Sequence, residues 1–235
     1  MKKRLKINGI IMVCAGIGVL CFPKIFFRSY SGGLKEQGLE ILGFALILLG
    51  QTIRVSARGY KAENSQDSRA LIQGGPYQVV RNPMYLGIFL IGLGVVLAVF
   101  KWWAIAIFVI VFIIRYILLI YKEEAKLRSM FPDTYPQYCQ KVPRIFPNLS
   151  GMIKLDIIEY LPLKISWFWK EIGSMIALLS LVLLIEAWVK ITQAGFKAFF
   201  VQSVWLLLTV GIFMALVTLL SQRMQQKNEN KSAKS

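Results

Sequence analysis

A turn-rich stretch from Gly74 to Gly87 holds side chains that suit the binding of a small charged molecule. Its Gly75-Pro76 and Asn82-Pro83 pairs are typical of turns, and the second pair favours the start of a helix at the proline. The first turn of a helix exposes backbone N–H groups that attract a carboxylate, and Arg81 adds a planar guanidinium for the same group. A helix cap with an arginine that extends to the membrane surface explains the same residues without a ligand.

Two adjacent carboxylates, Glu123 and Glu124, follow a long apolar run that contains Arg115. An ionisable residue inside such a run indicates a functional site by default, although an arginine this close to a polar segment can also extend to the interface. Adjacent glutamates at a membrane surface are usually solvated charges. The residues of this segment, taken alone, leave both interpretations open.

The chain contains no histidine, and this excludes several classes of site. Serine–histidine triads, histidine-ligated haem and the usual zinc sites all need imidazole. Its three cysteines, Cys14, Cys21 and Cys139, form neither a C-x-x-C pair nor an even disulfide set. We therefore predict no metal site.

The elements that position these residues are predicted from the apolar composition. Hydrophobic residues make up 56% of the 235-residue chain and charged residues only 17%, against about a quarter charged in soluble domains. The apolar residues come in blocks, and a bilayer core about 30 Å thick needs roughly 20 of them for each helix. We predict an all-α polytopic membrane protein with about six transmembrane helices, at residues 7–27, 39–54, 83–100, 102–121, 172–190 and 199–222.

The basic residues indicate how these helices are oriented. With a cytoplasmic N-terminus, 21 of the 28 Lys and Arg residues fall in inside segments, 6 fall in outside segments, and Arg115 lies within a span. The positive-inside rule then predicts that both termini are cytoplasmic, in a cell or inner membrane. The net charge of +16 fits this rule together with anionic lipid headgroups, so we expect no nucleic-acid partner. The polar segments 55–82 and 122–170 then face the cytoplasm together.

The chain divides into four parts. Residues 1–38 form an N-terminal helix and loop, and we expect this helix to be retained because no A-x-A-like cleavage site follows it. Residues 39–150 form a core with three transmembrane helices. Residues 151–222 contain an interfacial amphipathic helix at 151–170 and two further spans, and residues 223–235 form a polar, disordered tail.

The order of the motifs between residues 40 and 147 resembles the isoprenylcysteine carboxyl methyltransferase family, which is related to the membrane phospholipid N-methyltransferases. The family pattern reads roughly G-x-Y-x-x-x-R-H-P-x-Y-x-G, E-E-x-x-L, F-G-x-x-Y-x-x-Y and V-P-x-x-x-P. This chain matches it with Gly75 to Gly87, Glu123 to Leu127, Phe131 to Tyr138 and Val142 to Pro147. The resemblance implies that cytoplasmic loops close over S-adenosylmethionine and that a lipid-like acceptor reaches the site from the bilayer.

The resemblance also implies which positions bind the cofactor. They lie before the first turn, in the R-H-P-x-Y box and in the glutamate pair, namely Arg69, Ala70, Leu71, Ile72, Tyr77, Asn82, Pro83, Met84, Tyr85 and Glu123. Four residues are the expected catalytic group. Glu123 is expected to bond the cofactor, while Arg81 and Asn82 organise its amino-acid end. Where the acceptor is an amine, Glu124 or water is expected to take its proton.

Two positions depart from the family pattern. Asn82 stands where the family has histidine, so it can form hydrogen bonds but cannot titrate. The family's acceptor-binding arginine corresponds to Leu119, and Arg115, one turn earlier, is the expected substitute as a substrate contact. The acceptor therefore stays open among a phosphatidylethanolamine-like amine, an isoprenoid carboxylate and a small hydrophobic thiol or phenol.

Two other classes of protein remain as alternatives. Methyl transfer from a sulfonium mainly needs alignment, which contributes on the order of 7–11 kcal/mol, so a histidine-free site is adequate. A membrane reductase that uses NADPH is the alternative enzyme, although Gly92-x-Gly94 lies in a span and is no dinucleotide motif. A non-catalytic scaffold or transporter is the other, but Arg115 and Glu186 are few charges for an ion pathway.

Overall fold

The computed structural model describes residues 19, 21–29, 33–65, 71–145, 160–194, 200, 204, 207–208, 210–220, 222–223 and 226. The helices are labelled α1 (Pro23–Phe26), α2 (Leu34–Asn64), α3 (Pro76–Val79), α4 (Pro83–Val99), α5 (Trp102–Met130), α6 (Thr134–Lys141), α7 (Ile165–Ala194) and α8 (Val210–Leu220). Within these described ranges no β-strand is present, apart from one isolated bridge between Phe27 and Phe100. The predicted all-α class is confirmed.

Three of the described helices are long and apolar enough to cross a membrane: α2, α5 and, as far as Gln193, α7. Helix α4, with 17 residues, and helix α8 are shorter apolar helices. These helices are consistent with the predicted membrane protein, whereas six spans remain a prediction. The predicted first span lies largely outside the described residues, and so do residues 151–159 and most of the tail.

Three described helices extend two or more turns beyond the predicted spans. Helix α2 continues ten residues beyond the predicted end at 54, and α5 continues nine residues beyond 121. Both continuations contain charged residues, and a prediction based on apolar blocks leaves such residues out of a span. Helix α7 begins at Ile165, so residues 165–170 belong to it and not to a separate interfacial helix. Trp167 is 3% exposed and packs in a cluster with Val55.

Close antiparallel packing of α2 against α4 forms the centre of the structure. Gly43 lies opposite Gly94, and seven residues along, Gly50 lies opposite Gly87. A Cβ atom added to Gly50 would lie 2.6 Å from the Gly87 carbonyl oxygen, and one added to Gly43 would lie 2.7 Å from the Gly94 oxygen. The small residues thus let the two backbones touch, as they do in many membrane helix pairs. This contact places the polar end of α2 beside the start of α4.

Aromatic rings pack α5 against α4 in the hairpin that the sequence predicts. The Tyr116 ring lies between Phe112 and Tyr85, with centroids at 4.0 and 5.4 Å, and Phe112 also contacts Phe89 at 5.0 Å. Such pairs contribute about 0.5–1.5 kcal/mol beyond their buried area. The row of rings ends at Tyr85, at the polar end of the hairpin, and so fixes the distance between the two helices there.

Helix α7 is attached to both ends of α2. Near the start of α7, Glu171 Oε1 lies 2.7 Å from Arg58 Nη1 of α2. Near its other end, Lys190 Nζ lies 3.3 Å from Glu40 Oε2 and 3.7 Å from Glu186 Oε2, and all three of these side chains are buried. The helix beyond the motif-bearing segment is therefore part of the same bundle.

We expect Lys190→Met to lower stability, because it leaves Glu40 and Glu186 buried without their cation. Removing one partner of a buried ion pair typically costs about 3–5 kcal/mol. The measurement is the thermal unfolding midpoint in detergent, and Lys35→Met on the exposed side of α2 is the control. If both variants unfold at the same temperature, this ion cluster does not hold α7 against α2.

Candidate functional site

A cleft of about 450 Å³ opens where α2, α4 and α5 leave the apolar bundle. Pockets for small molecules typically measure about 300–1,000 Å³, so the cleft has room for a cofactor. The residues that line it are Lys61, Ser65, Leu71, Ile72, Tyr77, Arg81, Asn82, Pro83, Met84, Tyr85, Ile88, Glu123, Lys126, Leu127, Met130, Phe131 and Tyr138. Most of this wall is apolar, and a few charged groups are placed within it.

The turn before α3 brings the chain back across the end of α2. Gly75 has a φ of 58°, a conformation that favours glycine. A Cβ atom there would also lie 2.8 Å from the ring of Tyr60 on α2. Glycine is therefore needed for both conformation and space, and it lets Tyr77 follow directly into the cleft wall.

Helix α6 holds this turn from the other side. Tyr138 Oη donates a hydrogen bond to the carbonyl oxygen of Tyr77 at 2.7 Å. The backbone N–H of Arg81 donates to the carbonyl oxygen of Pro143 at 2.9 Å. Burial raises the pKa of both Tyr77 and Tyr138, so both phenols stay protonated at physiological pH and act as hydrogen-bond donors.

Glu123 brings three helices together at one carboxylate. Tyr85 Oη on α4 donates a hydrogen bond to Glu123 Oε2 at 2.8 Å, and Lys61 Nζ on α2 lies 4.0 Å from Oε1. The Glu123 side chain is 39% exposed, so a ligand can still reach it. In the part of the chain that the structure describes, it is the only carboxylate lining the cleft. An accessible carboxylate of this kind accepts hydrogen bonds from ammonium or hydroxyl groups.

Glu124 lies behind the cleft and not in it. Successive helix residues point about 100° apart, and this rotation buries Glu124 to 8% exposure while its neighbour stays in the wall. Its carboxylate lies 2.9 Å from Arg144 Nη2 and 3.3 Å from Arg81 Nη1. The structure therefore places the expected proton acceptor between two guanidinium groups, where it is already fully paired.

Asn82 lies at the start of α4 and lines the cleft. Its carbonyl oxygen accepts hydrogen bonds from the backbone N–H groups of Tyr85 and Leu86, and its side-chain Nδ2 donates to the carbonyl oxygen of Arg144 at 3.1 Å. The sequence predicted a helix start at Pro83, and this start is confirmed. The amide therefore occupies the family's histidine position with its nitrogen already engaged.

The cleft brings together nearly all of the sequence-predicted site residues that the structure describes. Those in its wall are Leu71, Ile72, Tyr77, Arg81, Asn82, Pro83, Met84, Tyr85 and Glu123. Arg69 and Ala70 lie outside the described residues. Arg115 does not join them: it is exposed on α5 and absent from the cleft wall, as is Leu119. The role of Arg115 as a substrate contact therefore stays a prediction.

Sequence reasoning missed two lysines of the wall and the arginine behind it. Lys126 follows Glu123 by three residues, a spacing that puts both on one face of a helix, so its position could have been inferred had α5 been extended. Lys61 lies on the unpredicted continuation of α2. Arg144 stands within the V-P-x-x-x-P motif, but nothing in the sequence indicates that it pairs with Glu124.

Two comparisons relate this region to known proteins. Residues 39–134 match the family model for phospholipid methyltransferase. A curated protein-S-isoprenylcysteine O-methyltransferase from Schizosaccharomyces pombe is 33% identical over 139 residues, which cover 56% of this chain and 57% of that relative. No solved structure matches the chain significantly. The predicted resemblance is therefore confirmed: the segment that builds the cleft is similar to the phospholipid methyltransferase family model and to an isoprenylcysteine O-methyltransferase, and the chain spans a little over half the length of that relative.

Proposed function

We propose that the protein is an S-adenosylmethionine-dependent methyltransferase that acts on a hydrophobic or lipid-like acceptor at the cytoplasmic face of a membrane. The observation that carries the proposal is the meeting of the family's motif positions in one cleft, where Tyr85 bonds Glu123 across two helices. The alignment covers only part of the matched relative. The activity is therefore inferred from the site together with the family match. Both termini are cytoplasmic in this proposal.

The cleft suits the chemistry of S-adenosylmethionine, which joins an adenosine to a charged amino acid through a sulfonium. Its apolar and aromatic wall, including Leu71 and Phe131, suits the adenine ring. Glu123 suits the ammonium group or the ribose hydroxyls. Lys126, which lines the cleft, suits the carboxylate. When bound, the cofactor supplies an activated methyl group.

The chain's own residues contribute mainly positioning. Tyr85 holds one oxygen of Glu123 in place, and Tyr138 holds the turn that carries Tyr77. A fixed geometry of this kind removes orientational freedom before the reaction, which is the largest contribution available to a displacement at carbon. Apolar residues of the wall, including Ile88 and Leu127, leave few polar groups to hold water beside the reacting atoms.

The polar groups of the cleft favour an acceptor that needs no deprotonation. The chain has no histidine, Glu123 already accepts a hydrogen bond from Tyr85, and Glu124 is enclosed by two arginines. An ammonium acceptor would have to lose a proton to one of these groups or to water. A carboxylate on a hydrophobic molecule arrives nucleophilic, and Lys61 in the cleft wall attracts its charge. We therefore favour the carboxylate over the amine.

We expect methyl transfer to a hydrophobic carboxylate to be almost independent of pH between about 6 and 9. The acceptor, with a pKa of about 4, is ionised throughout this range, and the raised pKa values of Tyr77 and Tyr138 keep both phenols neutral. An amine acceptor would instead react faster as the pH rises towards its pKa. The measurement is labelled-methyl incorporation into each type of acceptor. A rate on the carboxylate that rises about tenfold per pH unit would contradict the assignment.

The proposed activity is tested by cofactor binding and by labelling. Calorimetry in detergent should show binding of S-adenosylmethionine and none of NADPH, and labelled methyl groups should appear in the extracted lipid fraction. Binding of NADPH alone would favour the reductase. Label that stays in the aqueous fraction would count against a lipid-like acceptor.

A further inference from the structure

Arg144 connects the buried Glu124 to the wall of the cleft. Its guanidinium donates to both oxygens of the Glu124 carboxylate, with Nε at 3.1 and 3.2 Å and Nη2 at 2.9 Å. Its backbone carbonyl oxygen accepts the hydrogen bond from Asn82 Nδ2. The Arg144 side chain is therefore held by Glu124 of α5, while the Arg144 backbone holds the Asn82 side chain in the cleft wall.

The guanidinium is held on a second side as well. Arg144 Nη1 donates to Tyr121 Oη at 3.1 Å, and the guanidinium carbon lies 4.6 Å from the centre of the Tyr121 ring. The paired carboxylate raises the pKa of Arg144 further, so its charge is permanent. The planar fork thus meets one carboxylate and one ring, and these contacts restrict its rotation.

The neighbouring residues repeat the same connection. The carbonyl oxygen of Pro143 accepts a hydrogen bond from the Arg81 N–H, and Arg81 Nη1 reaches back to Glu124 at 3.3 Å. The segment after α6 and the turn before α4 are thus joined by two hydrogen bonds, with Glu124 paired to an arginine from each side. Glu124 and Arg144 themselves do not line the cleft, so they can act on a ligand only through Arg81 and Asn82, which do.

The orientation of the Asn82 amide follows from this arrangement. Of the two ends of the Asn82 amide only the nitrogen can donate a hydrogen bond, so the contact with the Arg144 carbonyl oxygen assigns the nitrogen to that side. The oxygen is then the group left to accept a hydrogen bond from a ligand such as the ammonium of an amino acid. If the Arg144 backbone moved, the amide would lose this fixed orientation.

We propose that Arg144 is a positioning residue for the cofactor, acting through its backbone carbonyl on the Asn82 amide and held in place by Glu124. The inference rests on the proposed function and extends it to a residue beyond the segment that matches the family model. It also gives Glu124 a role that differs from proton transfer. The carboxylate orders the two arginines, and its effect on binding passes through them.

The test is a double-mutant cycle in the full-length protein, with the affinity for S-adenosylmethionine measured by calorimetry. Arg144→Ala should weaken binding about 3- to 10-fold, the usual value of one hydrogen bond to a neutral group. Asn82→Ala should weaken it similarly. The double variant should be no weaker than Asn82→Ala alone, because a residue that acts only through another adds nothing once that one is removed. Arg128→Ala, at an exposed position of α5, should leave the affinity unchanged.

Two further measurements keep the test decisive. Arg144→Lys keeps the charge but not the planar fork, so it should recover folding without recovering the affinity. Losses that multiply in the double variant, or an Arg144→Ala affinity equal to that of Arg128→Ala, would overturn the inference. Failure of the unmodified protein to bind S-adenosylmethionine would count against the proposed function instead, so the two failures are distinguishable.

Discussion

Glu123→Gln should weaken the binding of S-adenosylmethionine about 10- to 100-fold. A hydrogen bond to a charged group contributes about 1.5–3 kcal/mol, and the substitution removes the charge while it keeps the size of the side chain. The effect should exceed that of Tyr85→Phe, which removes only the hydroxyl that holds one carboxylate oxygen. The measurement is the dissociation constant by calorimetry in detergent.

Asp133→Asn is the matched control, since this carboxylate is exposed and lies outside the cleft wall. It should bind the cofactor like the unmodified protein. A Glu123→Gln variant that binds as tightly as this control would remove Glu123 from the site. If Glu123 and Glu124 gave equal losses when changed to Gln, the distinction between a cleft residue and a residue behind it would be wrong.

Gly50→Ala should destabilise the protein by about 1–3 kcal/mol or more. Its new Cβ atom would lie 2.6 Å from the carbonyl oxygen of Gly87, which is backbone and cannot rotate away. The helices must therefore separate, and overpacking of this kind has a cost in that range. Cofactor affinity should fall as well, because the same contact aligns the polar end of α2 with the start of α4. The measurement is the thermal midpoint together with calorimetry.

Gly38→Ala on the same helix provides the opposite expectation. No atom lies within 4 Å of a Cβ added there, and alanine favours a helix over glycine by up to about 1 kcal/mol. The control should therefore be as stable as the unmodified protein or slightly more stable. Equal midpoints for the two variants would show that α2 and α4 do not depend on backbone contact at Gly50 and Gly87.

The positions of the site residues could be predicted from the sequence because they sit beside strong local signals. Asn82-Pro83 marks the start of α4, and the structure begins the helix at Pro83. Gly75 supplies the backbone conformation of the turn. The resemblance of the motifs to a family pattern then implied that this turn and Glu123 belong to one site. In the structure, residues of the turn and Glu123 line the same cleft. The ends of α2 and α5 were less predictable, since polar helix-forming residues give no signal of where the helix stops.

The sequence by itself determined that the chain is helical and apolar, that α4 and α5 form a hairpin, and that the motif-bearing turn precedes them. These features depend on composition and on residues close together in the chain. Only the tertiary structure decided that Glu123 faces the cleft while Glu124 faces two arginines. The two glutamates are adjacent and chemically identical, so their roles differ only through the rotation of α5 against α4 and the return of the chain after α6. Such contacts between distant segments leave no pattern in the sequence around either residue.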